Sequence, residues 1–403
     1  MKPILPNSSL SFKRLNLYAA HLVVFLIPFE QKPLVWALLL FCALNLITYS
    51  WSTRVYYYKK RALFIWLFSL YFFAHLVSLI HSNDTATALK DLESKLSLLL
   101  IPWVILTCNI INKYTLLELL KTFVYGVVGA SVISFIYAGL MYLRTENIYS
   151  FYYAGLSYYH HVGYFALYVN FAISILIVFI IHYRNKIRIL DYVLLAFLII
   201  TVYQLSSRMG IIVMSFLLAF GAIYLAFPKI RYKNPALAFG LVILISGIFI
   251  YVSTTQVDRF KSVKTELTET KTQSSSGSRL LLWQYSLDLV KEKPFLGYGT
   301  GDIKKVLMEK WESEEFYYAL KKELNPHNQF LQTTLSTGIL GLLCLLGAFF
   351  VPLKFRKRHT NILYVLFIMN ILMNAMTESI LERQDGIIFY SLFNVFLYFT
   401  YAD

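Results

Sequence analysis

Apolar residues fill most of the chain in runs that exceed the roughly 18 residues expected of a bilayer-crossing helix. With about 20 residues taken as the length of one span, the pattern predicts twelve transmembrane helices in an all-α polytopic membrane protein. The predicted spans are 15–30, 34–51, 62–81, 95–112, 115–141, 162–183, 189–206, 209–227, 235–253, 329–352, 361–377 and 387–401. The chain then divides into nine helices over 1–253, one long loop over 254–328 and three helices over 329–403.

The charge of the chain supports this division. Its net charge of +15 comes largely from basic residues in short alternate loops, a pattern that marks the cytoplasmic side of a membrane protein and does not call for nucleic acid as a partner. These residues are Arg54, Lys59, Lys60, Arg61, Lys113, Arg184, Lys186, Arg188, Lys229, Arg231, Lys233, Lys354, Arg356, Lys357 and Arg358. Both termini then face the cytoplasm, the long loop 254–328 lies outside, and the basic N-terminal segment is expected to be a retained signal anchor.

The long loop divides by composition. Residues 261–278 are rich in Ser, Thr, Lys and Glu and are expected to be mobile. Apolar residues at helical spacing predict an amphipathic helix over 279–292 with Leu280, Trp283, Leu287 and Val290 on its apolar face. A turn rich in glycine follows, and a second amphipathic helix is predicted over 302–323.

Metal or disulfide chemistry has no support in the sequence. Cys42, Cys108 and Cys344 all fall inside predicted spans, which predicts neither a disulfide framework nor a metal cluster. The outer loops also contain no Asp-x-Asp pattern. We therefore expect no metal.

His327 is the first candidate for chemistry. It follows the turn residues Asn325 and Pro326 and precedes the span predicted over 329–352, which places its imidazole where bilayer meets water. One interpretation is structural, a histidine that caps the helix or forms hydrogen bonds in a packed loop. The other is a general base, because neutral imidazole, with a reference pKa of about 6.5, can accept a proton from a sugar hydroxyl.

Arg208 is the second candidate, because it interrupts two apolar spans and a guanidinium near membrane depth is costly unless it is paired or hydrated. It could simply cap a tight hairpin on the outer side. Alternatively, its planar fork of donors could bind phosphate oxygens. Arg279, at a predicted helix start, would add a second charge and nearby backbone donors for the same anion.

Five further residues are candidates for substrate contact. His161 and Tyr164 lie at the start of the sixth predicted span, and Asn328 follows His327. Glu378 and Arg383 belong to a polar hairpin between the last two spans, where they could form a structural salt bridge or line a cavity.

Three ordered segments resemble the bacterial inner-membrane family of O-antigen ligases and polymerases, the Wzy-C-like superfamily. They are Ser206-Ser207-Arg208; Gly277-Ser278-Arg279 through Trp283, with Pro294-Phe295-Leu296-Gly297-Tyr298-Gly299; and Pro326-His327-Asn328-Gln329-Phe330, with Gly338 and Gly341. The likeness covers mainly residues 150–390, and the first hundred residues agree only in hydropathy.

The resemblance implies a GT-C-like glycosyltransferase that works on the periplasmic face of the inner membrane without metal or cofactor. Its donor would be a glycan on undecaprenyl diphosphate, and its acceptor the lipid A core, as in an O-antigen ligase of lipopolysaccharide biosynthesis. By the same resemblance, His327 would be the base, and Arg208 and Arg279 would hold the diphosphate. Fixed positive charge would stabilise the departing diphosphate, and attack from the opposite face would invert the anomeric centre.

Other functions remain open at this point. An O-antigen or exopolysaccharide polymerase would use the same donor with a different acceptor. A flippase or transporter would also suit twelve spans and a buried arginine, although it has no need of a 75-residue loop ending at His327. A scaffold of a polysaccharide assembly complex would carry out no chemistry.

Overall fold

The computed structural model describes residues 8–182, 188–226, 237, 240–247, 277–354 and 362–399. Over these residues all regular secondary structure is helical. The α-helices are α1 (Ser8–Leu26), α2 (Gln31–Thr48), α3 (Trp51–Ser78), α4 (Thr85–Lys95), α5 (Ser97–Leu106), α6 (Lys113–Thr145), α7 (Val162–His182), α8 (Ile189–Leu205), α9 (Arg208–Ala226), α10 (Gly277–Glu292), α11 (Ile303–Ser313), α12 (Tyr317–Lys321), α13 (Gln329–Lys354), α14 (Ile362–Ala375) and α15 (Gln384–Phe399). The segment predicted to be mobile, 261–278, lies outside the described residues except for its last two.

Six of the described helices are long and apolar enough to cross a membrane. They are Gln31–Thr48, Trp51–His81, Lys113–Thr145, Val162–His182, Arg208–Ala226 and Gln329–Lys354. Ile189–Leu205 and Ile362–Ala375 are apolar but shorter. The chain is thus a multi-pass membrane protein, as predicted, while the number of twelve spans stays a prediction.

The predicted span 95–112 differs from the structure. Its helix, α5, covers only Ser97–Leu106, and these 10 residues extend about 15 Å, half the thickness of the hydrocarbon core. Lys95 ends α4 and is fully buried, so a charged side chain interrupts the apolar run inside the protein. Hydropathy could not show this, because apolar residues packed against other helices resemble those that face lipid.

The helices form two compact units. The first comprises Met1–Gly126, Leu282–Tyr364 and Ser379–Asp403, and within it α3 packs against both α5 and α13. The second comprises Val127–Leu281 and Val365–Glu378. Its centre is α7, which packs against α8 and α9 and is almost completely buried along its length.

Arg54 and Arg61 lie on α3 and are buried, so their predicted place in a loop between two spans is wrong, while the predicted cytoplasmic side stays a prediction. Arg54 donates hydrogen bonds to the carbonyl oxygen of Asn45 at 2.6 Å and to Thr107 Oγ1 at 2.8 Å. Arg61 donates to the carbonyl oxygen of Cys108 at 2.8 Å. The last carbonyl groups of a helix lack hydrogen-bond partners within that helix. The two guanidinium groups therefore supply donors to carbonyl groups at the ends of α2 and α5.

Helices α10 to α12 form the described part of the predicted outer loop. Their core consists of Leu282, Leu289, Ile303, Leu307, Trp311, Ala319 and Leu335. The helix predicted over 279–292 is confirmed, and Leu280 and Leu287 on its predicted apolar face are about half exposed. The helix predicted over 302–323 is divided into α11 and α12 by a turn at Glu315, whose φ is 54°.

Helix α13 is interrupted at Gly338, where φ is 69° and ψ is −172°. The loop 294–299, called the docked loop below, fits against this break. Three backbone hydrogen bonds join the loop to the helix. The N–H of Tyr298 donates to the carbonyl of Leu335 at 2.7 Å, and the N–H of Gly299 donates to the carbonyl of Ser336 at 3.1 Å. In the other direction, the N–H of Ile339 donates to the carbonyl of Pro294 at 2.8 Å. A broken helix is tolerated in a membrane protein when its backbone groups find partners in this way.

Glycine is required on both sides of this contact. A Cβ at Gly338 would collide with the carbonyl of Phe295, and a Cβ at Gly297 would lie 2.5 Å from the carbonyl oxygen of Leu335. Both residues also have positive φ, which side chains other than glycine rarely adopt. Gly338 is therefore the residue at which the helix breaks.

We predict that Gly338→Ala destabilises the protein by at least about 2 kcal/mol, because it adds backbone strain and forces the docked loop away. Thermal unfolding of the detergent-solubilised protein would measure the effect. The matched control is Gly347→Ala on the same helix, where a Cβ meets no atom within 4 Å. Equal melting temperatures for the two variants would contradict this account of the break.

Candidate functional site

One cavity of about 80 Å³ lies in the second unit, at the first turns of α7, α9 and α10 and the end of α14. It is lined by Tyr153, His161, Val162, Gly163, Ser207, Arg208, Met209, Arg279, Asn374, Thr377 and Glu378. Four residues selected from the sequence therefore lie together here: His161, Arg208, Arg279 and Glu378.

The convergence of α7 and α9 depends on Gly210. A Cβ at this position would lie 2.9 Å from Ala166 Cβ, so only glycine lets the two helices approach this closely. Buried Asn170 of α7 donates a hydrogen bond to the carbonyl oxygen of Gly210 at 2.9 Å. Buried Asn370 of α14 donates to the carbonyl oxygen of Leu167 at 3.0 Å. These amides join three helices just beneath the cavity.

The start of α9 presents Arg208 through two serine residues. Ser206 ends α8 in the left-handed conformation, with φ of 48°, and so turns the chain sharply. Ser207 then caps α9, because its hydroxyl accepts a hydrogen bond from the N–H of Gly210 at 3.2 Å. Arg208 is the first residue of the helix and is partly buried in the cavity lining.

The cavity is electrostatically suited to an anion. The N-terminus of a helix carries partial positive charge and amide donors without partners inside the helix, and three such termini meet here. Arg208 and Arg279 add two formal positive charges. Glu378 supplies negative charge, with Oε2 4.0 Å from Arg279 Nη2.

His161 lines the cavity and precedes α7, where its carbonyl oxygen accepts hydrogen bonds from the N–H groups of Tyr164 and Phe165 at 3.0 and 3.1 Å. Its ring nitrogen Nδ1 lies 3.4 Å from the N–H of Gly163. Tyr164 is buried and does not belong to the lining. The contact of either residue with a substrate stays a prediction.

His327 belongs to the first unit, where two asparagine residues shape its surroundings. The side chain of Asn325 accepts a hydrogen bond from the N–H of His327 at 2.9 Å, which forms a tight turn over Pro326. His327 has φ of 46°, a left-handed conformation that costs a residue with a side chain roughly 1 kcal/mol or more. Strain of this kind is common at functional sites.

Asn328 and Arg383 also belong to the first unit. Asn328 caps α13, with Oδ1 accepting hydrogen bonds from the N–H groups of Phe330 and Leu331 at 2.9 and 3.1 Å. Arg383 is exposed at the start of α15. The expected proximity of His327 to the cavity with Arg208 and Arg279 stays a prediction.

Several residues of the site were not selected from the sequence. Gly210, Asn170 and Asn370 determine how the helices around the cavity meet. Asparagine within an apolar span was the available signal, because a polar side chain at that depth needs a partner. Among the described residues no group of three His, Cys, Asp or Glu side chains is arranged to hold a metal ion.

Fold and cavity together define a multi-pass membrane protein with a cavity that is lined by two arginines and lies at three helix N-termini. A family model described as O-antigen ligase matches residues 193–346, a range that includes Arg208, Arg279 and His327. Over this part of the chain the match confirms the resemblance to the O-antigen ligase family seen in the sequence.

Two related proteins with a polysaccharide ligase name also support this resemblance. A protein of Rickettsia conorii with the provisional name polysaccharide ligase is 36% identical over 95 residues, 23% of this chain and 22% of that protein. A protein of Rickettsia felis with the same provisional name matches to the same extent. An uncharacterized protein of Haemophilus influenzae is 22% identical over 352 residues, 82% of this chain and 84% of that protein. The matches to the Rickettsia proteins thus span about a fifth of their length.

We predict that Glu378→Gln strengthens anion binding in the cavity about two- to fivefold, since a partly exposed ion pair contributes up to roughly 1 kcal/mol. Titration of the purified protein with inorganic pyrophosphate would measure the dissociation constant. Glu309→Gln is the control, because Glu309 forms an exposed surface pair with Lys305. Unchanged affinity in Glu378→Gln would show that Glu378 does not influence the bound anion.

Proposed function

We propose that the protein is an O-antigen ligase, a glycosyltransferase that moves a polysaccharide from undecaprenyl diphosphate to the lipid A core sugar. In this proposal the reaction takes place on the periplasmic face of the bacterial inner membrane and uses neither metal nor cofactor. The supporting observation is the cavity in which Arg208 and Arg279 meet the N-termini of three helices.

The cavity supports the proposal because the leaving group is a diphosphate. As the bond between the sugar and the diphosphate oxygen breaks, negative charge grows on that oxygen and must be stabilised. Two guanidinium groups and helix N-termini are fixed donors that can do this without a metal ion. Glu378 would offset part of their charge, which would keep the released diphosphate from binding too tightly.

His327 is proposed as the general base. Its imidazole would take the proton of the acceptor hydroxyl, and the hydroxyl oxygen would attack the anomeric carbon from the face opposite the diphosphate. One carbon–oxygen bond forms as the other breaks, undecaprenyl diphosphate leaves as an anion, and the anomeric centre is inverted. His161, which lines the cavity, is proposed to contact the diphosphate or the first sugar.

A polymerase is the alternative, because the family resemblance covers both reactions and the donor site would be the same. The two differ in whether the acceptor is the lipid A core or another lipid-linked repeat unit. A flippase is disfavoured by the long predicted outer loop that ends near His327, because a carrier does not need such a loop on one side only.

Deletion of the gene separates the two reactions. A ligase predicts that long polysaccharide chains accumulate on the lipid carrier while lipid A carries only its core, since polymerisation continues without attachment. Gel analysis of lipopolysaccharide and of the lipid-linked pool would measure both. Lipid A with a single repeat unit would indicate a polymerase, and unchanged lipopolysaccharide would contradict both assignments.

Arg208→Lys keeps the charge but loses the planar pair of donors, so we expect kcat to fall about 10- to 100-fold. The assay would use purified protein with a lipid-linked glycan and lipid A core. Arg144→Lys, at the exposed end of α6 in the same unit, is the matched control. Near-normal turnover of Arg208→Lys would mean that Arg208 only caps the hairpin.

His327→Asn tests the proposed base without disturbing the turn, because asparagine tolerates the left-handed conformation that His327 adopts. We expect kcat to fall by about 10²- to 10⁴-fold with little change in donor affinity. His182→Ala serves as the control for the loss of an imidazole, because His182 is the last residue of α7 and does not line the cavity. Full activity of His327→Asn would rule out His327 as the base.

A further inference from the structure

The first unit contains a buried charged cluster formed by His75, Asp91, Lys95 and Glu382. Lys95 is completely buried, and its Nζ donates to Asp91 and, at 3.2 Å, to Glu382 Oε2. His75 Nδ1 lies 3.2 Å from the second oxygen of Asp91. This cluster joins α3 and α4 to the hairpin that precedes α15.

The charges of this cluster support one another. Burial alone would raise the pKa of Asp91, but Lys95 and His75 outweigh this effect and hold that pKa below its ordinary value. Burial alone would lower the pKa of Lys95, but Glu382 and Asp91 raise it. Both groups are therefore charged at neutral pH, and a buried ion pair of this kind is sensitive to geometry.

Gln329 links the cluster to α13. This buried residue is the first of the helix and lies two positions after His327. Its Nε2 donates to Glu382 Oε1 at 3.4 Å and to the Tyr71 hydroxyl at 3.1 Å, while its Oε1 accepts from the N–H of Leu381 at 2.7 Å. Both ends of the amide are thus held by other elements of the unit.

The N-terminal part of α13 is consequently fixed at several points. Gln329 ties its start to the cluster, and Thr333 donates to or accepts from the Tyr71 hydroxyl at 2.8 Å one turn later. The docked loop holds the carbonyls of Leu335 and Ser336 just before the break at Gly338. Because this short part of α13 is held at both ends, it can keep His327, which lies just before it, in a fixed position.

We propose that Gln329 is the positioning residue for His327, and that the cluster of Lys95 and Glu382 exists to hold Gln329. The inference rests on the proposed function, since it assigns Gln329 to the step in which His327 accepts a proton. Because a base must be placed to within a fraction of an ångström, a shift of the helix start lowers kcat and leaves donor binding unchanged.

Gln329→Glu is the first test, because glutamate has the same shape but cannot donate to Glu382 and adds a like charge beside it. Transfer assays are expected to show kcat reduced about 10- to 100-fold with KM for the donor within about threefold of the wild type. The double variant Gln329→Glu with Glu382→Gln exchanges donor and acceptor, and it is expected to recover most of the rate. The control is Gln384→Glu, since Gln384 also begins a helix but pairs with Gln31.

A double-mutant cycle with His327→Asn separates positioning from a general structural role. If Gln329 acts through His327, Gln329→Glu produces no further loss in the His327→Asn background. Full additivity of the two losses, or failure of the exchanged pair to recover activity, would overturn the proposal.

Amide hydrogen exchange keeps this test independent of the proposed function. Gln329→Glu is expected to speed exchange in residues 325–333 and to leave the half of α13 after the break unchanged, whereas unchanged exchange would overturn the positioning role. A wild-type protein that transfers no glycan would instead overturn the proposed function, and the exchange result would still decide whether Gln329 holds this segment.

Discussion

A polar group that leaves water inside a membrane protein must find its partner within the protein, and this constraint shapes every part of the structure that bears on function. Arg54 and Arg61 satisfy carbonyl groups at helix ends. The docked loop satisfies the backbone that the break at Gly338 exposes. Lys95 is held between two carboxylates. Most of these contacts join elements distant in sequence, so contacts that offset the cost of burying a polar group also determine where the helices lie.

The cavity that contains Arg208 and Arg279 reflects the same constraint, because some polar groups around it have no partner within their own helix. Helix N-termini have amides without intrahelical partners, and a packed bundle normally satisfies them with caps. Here Ser207 and His161 satisfy part of that demand at α9 and α7, and the remaining positive potential faces a small space shared with two arginines. Gly210 allows the approach, and Asn170 holds it. The result is fixed positive charge that needs no reorganisation when an anion forms.

Sequence patterns predicted the type of most elements, because apolar runs and glycine or proline boundaries are local signals. The helices over 279–292 and 329–352 begin and end within a few residues of the prediction. The errors occur where burial mimics lipid exposure. The run over 95–112 contains a short helix beside a buried lysine. Hydropathy measures the preference of a residue and does not identify its neighbour.

By itself the sequence determined the membrane class, the family resemblance and the residue types suited to the chemistry, because these depend on composition and on short ordered motifs. Tertiary structure alone decided which of those residues meet. It placed Arg208 and Arg279 in one cavity with His161 and Glu378, and it gave Asn328 a capping role that uses its side chain. It also revealed the partners of Gln329, which come from α3 and from the hairpin before α15. The physical reason is that a hydrogen bond or an ion pair acts over about 3 to 4 Å in space, whereas its partners lie tens or hundreds of residues apart along the chain.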